Sequence, residues 1–221
     1  MNVYTYYMPI PELYDEDSQR RLIDVWARSW SKQGWNPVVL DETHATRNPR
    51  YAFFREHFWA LPTTYGHEYC GACFMRWLAV SAMGGGMMTD FDVINYSFAP
   101  READPAKMVI YCDSPSIFMG AVNGSQQHYL DFCELFAAWK PDAHDFNHSA
   151  GQHHCDDLSL LLRMECGTYP KPPWFVKEPG CSLWDNLSFR TASMVHYGYE
   201  LKARGYFPKW QWVEKLRPFL T

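Results

Sequence analysis

No stretch of about eighteen uncharged apolar residues occurs in the sequence, so nothing in it predicts a bilayer-spanning helix. Its first residues lack the basic stretch followed by a hydrophobic one that marks an export signal, and a cytoplasmic setting is expected. Positive charge is not in excess either: 20 lysines and arginines face 25 acidic residues, a formal net charge of −5. The field of the whole molecule therefore does not draw in a polyanion, and duplex nucleic acid would need a local basic patch. Cysteines are few and unframed. Seven lie scattered through a chain long enough to bury a core without cross-links, which predicts reduced thiols. Internal repeats and low-complexity tracts are missing, and 221 residues suit one domain.

Aromatic residues are what the chain has in abundance, 17% of the total with ten tryptophans. Their rings suit a cleft that stacks on bases or sugars, and they equally fill a core. Residues 2–7 read as a first strand closed by Pro9 and Pro11. Ser18 is positioned to cap a helix in which Leu22, Val25, Trp26 and Trp30 recur at helical spacing, and Gly34 ends it. Val38 to Leu40 form a second strand between Pro37 and Asp41. Strand, helix, strand predicts an α/β fold with a mostly parallel central sheet flanked by helices.

From about His67 to Met83 the pattern is again helical and apolar nearly all round, which predicts a buried helix. It runs into Gly84-Gly85-Gly86, then a short apolar strand, then Asp90-Phe91-Asp92. Further strands are expected at 108–112 and near 117–122, a helix through Tyr129, Phe132, Cys133, Phe136 and Trp139, and a short helix after Leu158 ended by Gly167. Residues 141–155 read as a polar, histidine-rich loop, and Pro170 to Pro179 as irregular surface or a lid. A last strand is expected around Met194 to Tyr197, and an amphipathic segment from Trp210 to Leu220.

Aspartate pairs one residue apart arise by chance, and Asp15-Glu16-Asp17 has the same spacing where acids merely favour a helix dipole. Context separates the second pair. Asp90 and Asp92 follow a buried helix, a glycine turn and a strand, so both carboxylates are expected at a strand's carboxyl end, the edge where α/β sheets bind ligands. Phe91 between them is expected to face the core. Carboxylates so placed can hold Mg²⁺ or Mn²⁺ against the two phosphates of a nucleoside-diphosphate sugar while the glycosidic bond breaks. Arg76 lies on the buried helix and needs an anionic partner, either at such a site or in a structural ion pair.

The run Phe74-Met75-Arg76-Trp77-Leu78, through Gly84-Gly85-Gly86, to Asp90-Phe91-Asp92-Val93 resembles the DxD sugar-binding region of the GT-A glycosyltransferases. The likeness is to the group of yeast mannosyltransferases, bacterial capsule transferases and large clostridial toxins, and it covers about twenty residues. Cys73 stands where that pattern often has Asp, and the third glycine lengthens the interval from Arg to Asp by one residue. The resemblance implies a single GT-A-like, Rossmann-like domain over 1–221, with residues 1–98 as the donor-nucleotide and metal half and 99–221 as the acceptor half. It implies a hexosyl- or pentosyltransferase of the retaining kind that uses a UDP-sugar or other nucleotide sugar and a divalent cation. Asp90 is then expected at the donor ribose or sugar and as a help to the metal, Asp92 at the metal, and Arg76 at the donor sugar or orienting the motif. His196 looks like the late histidine that completes such a metal site. Tyr4, Thr5 and Tyr6 would touch the donor base, and Asn123-Gly124 resembles a turn after an acceptor-side strand.

Several readings stay open beside these. Asp156 and Asp157 open a short helix, as helix-start acids commonly do, and either could act as a general base or brace a transition state. His144, His148, His153 and His154 with Cys155, or the pair Cys70 and Cys73, could bind zinc, although the two cysteines fall within a helical pattern. Lys209, Trp210, Trp212 and Lys215 could meet a membrane surface or pack on the core. The acceptor expected first is a glycan or lipid-linked glycan, with a modified nucleobase or a protein behind it. A metal-dependent nucleotidyl- or phosphotransferase and an inactive nucleotide-sugar-binding module are the rival functions. The first of these would ordinarily bring a glycine-rich phosphate loop, which the sequence lacks.

Overall fold

The structure is a computed structural model that describes residues 1–11, 15–61, 67–113, 120–140, 147–149, 152–183, 192–198 and 210–211. Its elements run β1 (Asn2–Tyr6), α1 (Glu16–Lys32), β2 (Asn36–Leu40), α2 (Glu42–Ala45), α3 (Tyr51–Trp59), α4 (His67–Ala82), β3 (Gly85–Thr89) and β4 (Val93–Asn95). They continue with β5 (Met108–Tyr111), β6 (Ala121–Ser125), α5 (Gln126–Ala138), β7 (Asn147–Ser149), β8 (Gln152–His154), α6 (Asp157–Glu165), β9 (Phe175–Glu178), β10 (Cys181–Leu183) and β11 (Met194–His196).

The central sheet has six strands in the order β2-β1-β3-β6-β5-β9. Pairing is parallel everywhere except on the two sides of β6, so five strands share one direction and the expected mostly parallel α/β class is met. A smaller sheet, β10-β11-β4, stands beside it. The connection that matters is β3 to β4. It leaves the large sheet, turns through Asp90-Phe91-Asp92, and enters the small one.

Helix α1 is capped by Asp15, whose carboxylate accepts the Ser18 backbone N–H at 2.9 Å. Ser18 is thus inside the first turn and not the cap, because a longer-reaching acid three residues earlier takes the free N–H. The buried face of α1 carries three indole donors or leads to them. Trp26 Nε1 donates to Thr89 Oγ1 at 2.9 Å, Trp30 Nε1 to the Val93 carbonyl at 3.0 Å, and Trp35 Nε1, just past the helix, to the Phe98 carbonyl at 2.9 Å. Ser29 Oγ accepts the Asn95 N–H at 3.2 Å and Gln33 donates to the Tyr96 carbonyl at 2.7 Å. One helix therefore fixes the chain on both sides of the acidic turn.

Helices α3, α4 and α5 meet through Phe58, Phe74, Trp77, Phe132 and Phe136, with neighbouring ring centroids such as Trp77 and Phe132 4.7 Å apart. Burying such rings removes large apolar areas from water and is the main favourable term holding these helices together. Gly71 permits the contact of α3 with α4: a Cβ there would meet the Trp59 ring at 2.6 Å.

Several local expectations change. The glycine run is not one turn, since Gly84 ends α4 while Gly85 and Gly86 are already paired with β6, each at positive φ. Asn123 and Gly124 lie within β6 and do not form a turn. The proline-rich stretch contains β9, which sits at the edge of the sheet, where missing backbone donors are tolerated. Part of the polar segment 141–155 is the hairpin of β7 and β8. Helices α2 and α3 have no counterpart in the sequence reading. Among the described residues no helix is long and apolar enough to cross a membrane. All seven cysteines are free thiols.

Candidate metal centre

Asp90 is the first residue beyond β3, and its backbone N–H donates to the Gly120 carbonyl at 3.1 Å. The turn closes where Val93 N–H donates to the Asp90 carbonyl at 3.0 Å, and Tyr197 N–H donates to the Asp92 carbonyl at 2.9 Å. That last bond extends the antiparallel pairing of β11 with β4, in which His196 stands opposite Val93. Sheet register thus delivers a histidine from the far end of the chain beside Asp92.

His196 Nε2 lies 3.1 Å from Asp92 Oδ1 and 3.7 Å from Asp90 Oδ2. One ligand atom from each of Asp90, Asp92 and His196 falls within 4.8 Å of the others. Oxygen and nitrogen ligands at about 2.0–2.6 Å from a common ion fit within that span. Asp90, Asp92 and His196 keep 28%, 11% and 14% of their side chains exposed, so the group is recessed yet reachable. Two carboxylates and one imidazole are compatible with a divalent cation, with further positions left for other oxygen donors. Burial, and then the neighbouring Asp92 charge, raises the Asp90 carboxyl above the usual carboxylate range against the lowering pull of Arg76.

Arg76 projects from α4 toward this cluster. Its Nη1 contacts Asp90 Oδ1, while Nε and Nη2 donate to Asp157 Oδ2 at 2.9 and 2.6 Å. Burial opposes the guanidinium charge, but Asp157 and then Asp90 outweigh it and hold Arg76 firmly protonated. Asp157 is 2% exposed and also accepts the Trp77 indole N–H at 2.6 Å and the Leu158 N–H at 3.0 Å. Both its oxygens are engaged within the protein. Asp156 is the N-cap of α6 and accepts the Ser159 N–H and hydroxyl, each at 3.0 Å. Its carboxyl is pushed up to about 6 by burial and then by the Asp157 charge.

The donor-base candidates divide differently from expectation. Tyr4 is 3% exposed and its hydroxyl accepts the Asn2 amide at 3.0 Å, at the opposite end of β1 from the acidic turn, so it is not brought to the site. Both faces of a parallel strand are covered by helices, and the side chains of Thr5 and Tyr6 are buried as well. Tyr7, one residue past the strand, is partly exposed and meets Phe91 edge-on, with centroids 6.1 Å apart. Phe91 packs against the core as expected but stays partly exposed. This pair flanks the acidic turn, and a reading by strand alternation misses it because it lies just beyond the strand's end. A narrow crevice beside Asp90 is lined by Arg76, Met88, Thr89, Asp90, Gly120 and Val122.

Among the described residues, Asp90, Asp92 and His196 are the group arranged to hold an ion. Cys70 and Cys73 sit on α4 without forming such a group. His144 lies outside the described residues, as do Lys209, Trp212 and Lys215, and only the backbone is described at His148, His153 and His154. Trp210 lies under the Arg21 guanidinium, 4.9 Å from its centre, and packs against the core.

The same fold occurs in a crystal structure of a glycosyltransferase involved in the glycosylation of the major capsid of PBCV-1. The two chains are 10% identical, superpose with a TM-score of 0.50, and match over 97% of this chain and 98% of that one. A family described as a domain of unknown function (DUF8765) matches residues 1–108, which contain Arg76, Asp90 and Asp92. No curated protein matches the sequence. The architecture is therefore the one seen in that glycosyltransferase, and an activity has to be argued from the site.

Proposed function

We propose that this protein is a divalent-cation-dependent glycosyltransferase that moves a sugar from a nucleoside diphosphate to an acceptor hydroxyl. One observation carries the reading: Asp90, Asp92 and His196 converge at the carboxyl end of a central strand in a glycosyltransferase fold. Asp92 and His196 hold the cation with Asp90, and Mn²⁺ or Mg²⁺ both suit this set. When bound, the cation supplies Lewis-acid stabilisation of the charge that grows on the departing diphosphate.

The remaining residues bind and orient. Arg76 offers a second positive charge toward the phosphates, in a fork geometry suited to their oxygens. Asp157, fully hydrogen-bonded, serves as the positioning residue that aims Arg76. Asp156, with its carboxyl at about 6, is the remaining acid of the pair for proton transfer, although its capping bonds constrain it. Tyr7 and Phe91 replace Tyr4, Thr5 and Tyr6 as the surface for the donor's base. A UDP-sugar is the first donor to test, with a hexose or pentose and retention as the resemblance implies. The acceptor proposed first is a glycan, with a nucleobase second. Residues 1–98 form the donor half and 99–221 the acceptor half, and the free thiols accord with a reducing, cytoplasmic setting.

Donor hydrolysis across UDP- and GDP-sugars with Mn²⁺, on wild type and Asp92→Ala, tests this. Turnover of at least one sugar nucleotide and a loss of about a thousandfold in the variant are expected, the scale on which removing a key electrostatic stabiliser acts. Equal behaviour of the two proteins, or no binding of any sugar nucleotide, rejects the proposal.

A further inference from the structure

We infer that Arg76 couples cation binding to diphosphate binding, by holding Asp90 when the site lacks an anionic ligand and releasing it when one arrives. The inference rests on the proposed donor site and adds how that site assembles. Two of the guanidinium's contacts go to Asp157, which is 2% exposed and fixed in turn by Trp77 and Leu158. The third reaches Asp90, whose side chain is 28% exposed. Arg76 is therefore anchored on its buried side and exchangeable on its open side.

The arrangement puts a cost on a cation that comes alone. Asp90 Oδ1 is committed to a guanidinium, and only Oδ2 faces His196, at 3.7 Å. The incoming ion meets a positive charge in contact with one of its own ligands, and that repulsion is strong where water is largely excluded. A nucleoside diphosphate changes the balance, since its phosphate oxygens accept the Nη1 hydrogens and return Asp90 to the cation. Each ligand then raises the other's affinity by the same factor, as linkage requires. Coupling factors of this kind run roughly from 5- to 150-fold.

Mn²⁺ binding by calorimetry or by the free-ion paramagnetic signal, with and without UDP or GDP, tests the coupling. In wild type, UDP is expected to tighten Mn²⁺ by about tenfold or more. Replacing Arg76→Gln together with Asp157→Asn removes both buried charges, so neither is left without its partner. Mn²⁺ alone is expected to bind this variant about tenfold tighter than wild type, with its dependence on UDP largely lost. Asp157→Asn alone leaves the guanidinium wholly to Asp90, and Mn²⁺ alone is expected to bind more weakly than in wild type. Should the double variant fail to fold, Arg76→Lys serves instead: it keeps the charge on Asp157, loses the Nη1 contact to Asp90, and is expected to tighten Mn²⁺ alone.

The inference is overturned if a folded variant lacking the Asp90 contact binds Mn²⁺ alone no tighter than wild type, or if UDP helps it as much. Failure of wild type to bind Mn²⁺ under any of these conditions instead removes the proposed donor site, and the coupling with it.

Discussion

The hydrogen bond from Trp26 to Thr89 makes a quantitative claim about how the acidic turn is held. Thr89 is 3% exposed and immediately precedes Asp90, and its Oγ1 accepts the Trp26 indole N–H at 2.9 Å. Thr89→Val preserves the side chain's shape and deletes the acceptor, leaving a buried N–H with nowhere to donate. A loss of about 2 kcal/mol follows, within the roughly 1–3 kcal/mol cost of an orphaned buried polar group. Trp26→Phe deletes the donor and part of a fully buried ring, so its cost is larger, about 3 kcal/mol with the cavity included. The double variant has no orphaned group and is expected to be more stable than the sum of the single losses predicts, by about 1 kcal/mol. Urea denaturation of the four proteins, with unchanged slope, measures that coupling. Thr89→Val should also weaken Mn²⁺ binding in the presence of UDP by several-fold, because the residue next to Asp90 has lost its tether. Additive stabilities would refute the bond, and coupled stabilities with unchanged Mn²⁺ affinity would show that α1 braces the core and not the site.

Other expectations are briefer. Gly84 and Gly85 have similar positive φ, but a Cβ on Gly84 meets open space while one on Gly85 would meet the Gln126 nitrogen at 2.4 Å. Gly84→Ala is therefore expected to cost about 1 kcal/mol and Gly85→Ala well over 3 kcal/mol, or folding itself, which thermal melting separates. His128 accepts the Ser125 N–H through Nδ1 at 3.3 Å and stacks on Trp174, and burial lowers its pKa below the ordinary 6.5 although Asp131 and Asp104 pull the other way. With the folded pKa below the unfolded one, the cap's stability is fully present above pH 6.5 and is lost as pH falls through the folded value. His128→Gln should flatten that part of the stability-against-pH curve, and a curve identical to wild type would count against it. Tyr7→Ala is expected to raise KM for the sugar nucleotide about tenfold with little change in kcat, on the scale of losing one stacked base contact. An effect confined to kcat would contradict the stacking role.

What could be read from the sequence was what is local. Asp90 and Asp92 are marked by the helix, glycines and strand that immediately precede them, and the need of Arg76 for a partner follows from its buried surroundings alone. The identity of that partner does not, because Asp157 is 81 residues away and reaches it only once α6 docks on α4. For the same reason Asp157 reads as a free acid at a helix start, while in the fold it is a saturated acceptor. The position of His196 is set by the register of β11 on β4, a pairing that crosses about half the chain and leaves no mark in either segment. Tyr4 and Tyr6 misled because β1 is buried on both faces, so its aromatic residues fill the core and the useful one lies a residue beyond the strand. α3 has no side-chain cap and α2 spans four residues, too little for periodicity to show.

Composition left the tryptophans either to a stacking cleft or to the core, and their task is finer than either: from within the core Trp26, Trp30 and Trp35 point their indole N–H groups at residues 89, 93 and 98, bracketing the acidic turn. Such bracing answers an electrostatic need. Around the turn, three carboxylates, Asp90, Asp92 and Asp157, outnumber the one guanidinium, and burial, then the Asp92 charge, raises the Asp90 carboxyl. Left to relax, Asp90 and Asp92 would swing apart toward water. The indole bonds and the Tyr197 bond to the Asp92 carbonyl hold the backbone so that they cannot. A divalent cation neutralises the excess, so Mn²⁺ with UDP should stabilise the folded protein by about 2.7 kcal/mol at a hundred times its dissociation constant. Asp92→Asn should abolish the cation-dependent part of that gain. A melting temperature in wild type that ignores Mn²⁺ in the presence of UDP would mean that the charges are balanced from elsewhere, and that the turn was not built around an ion.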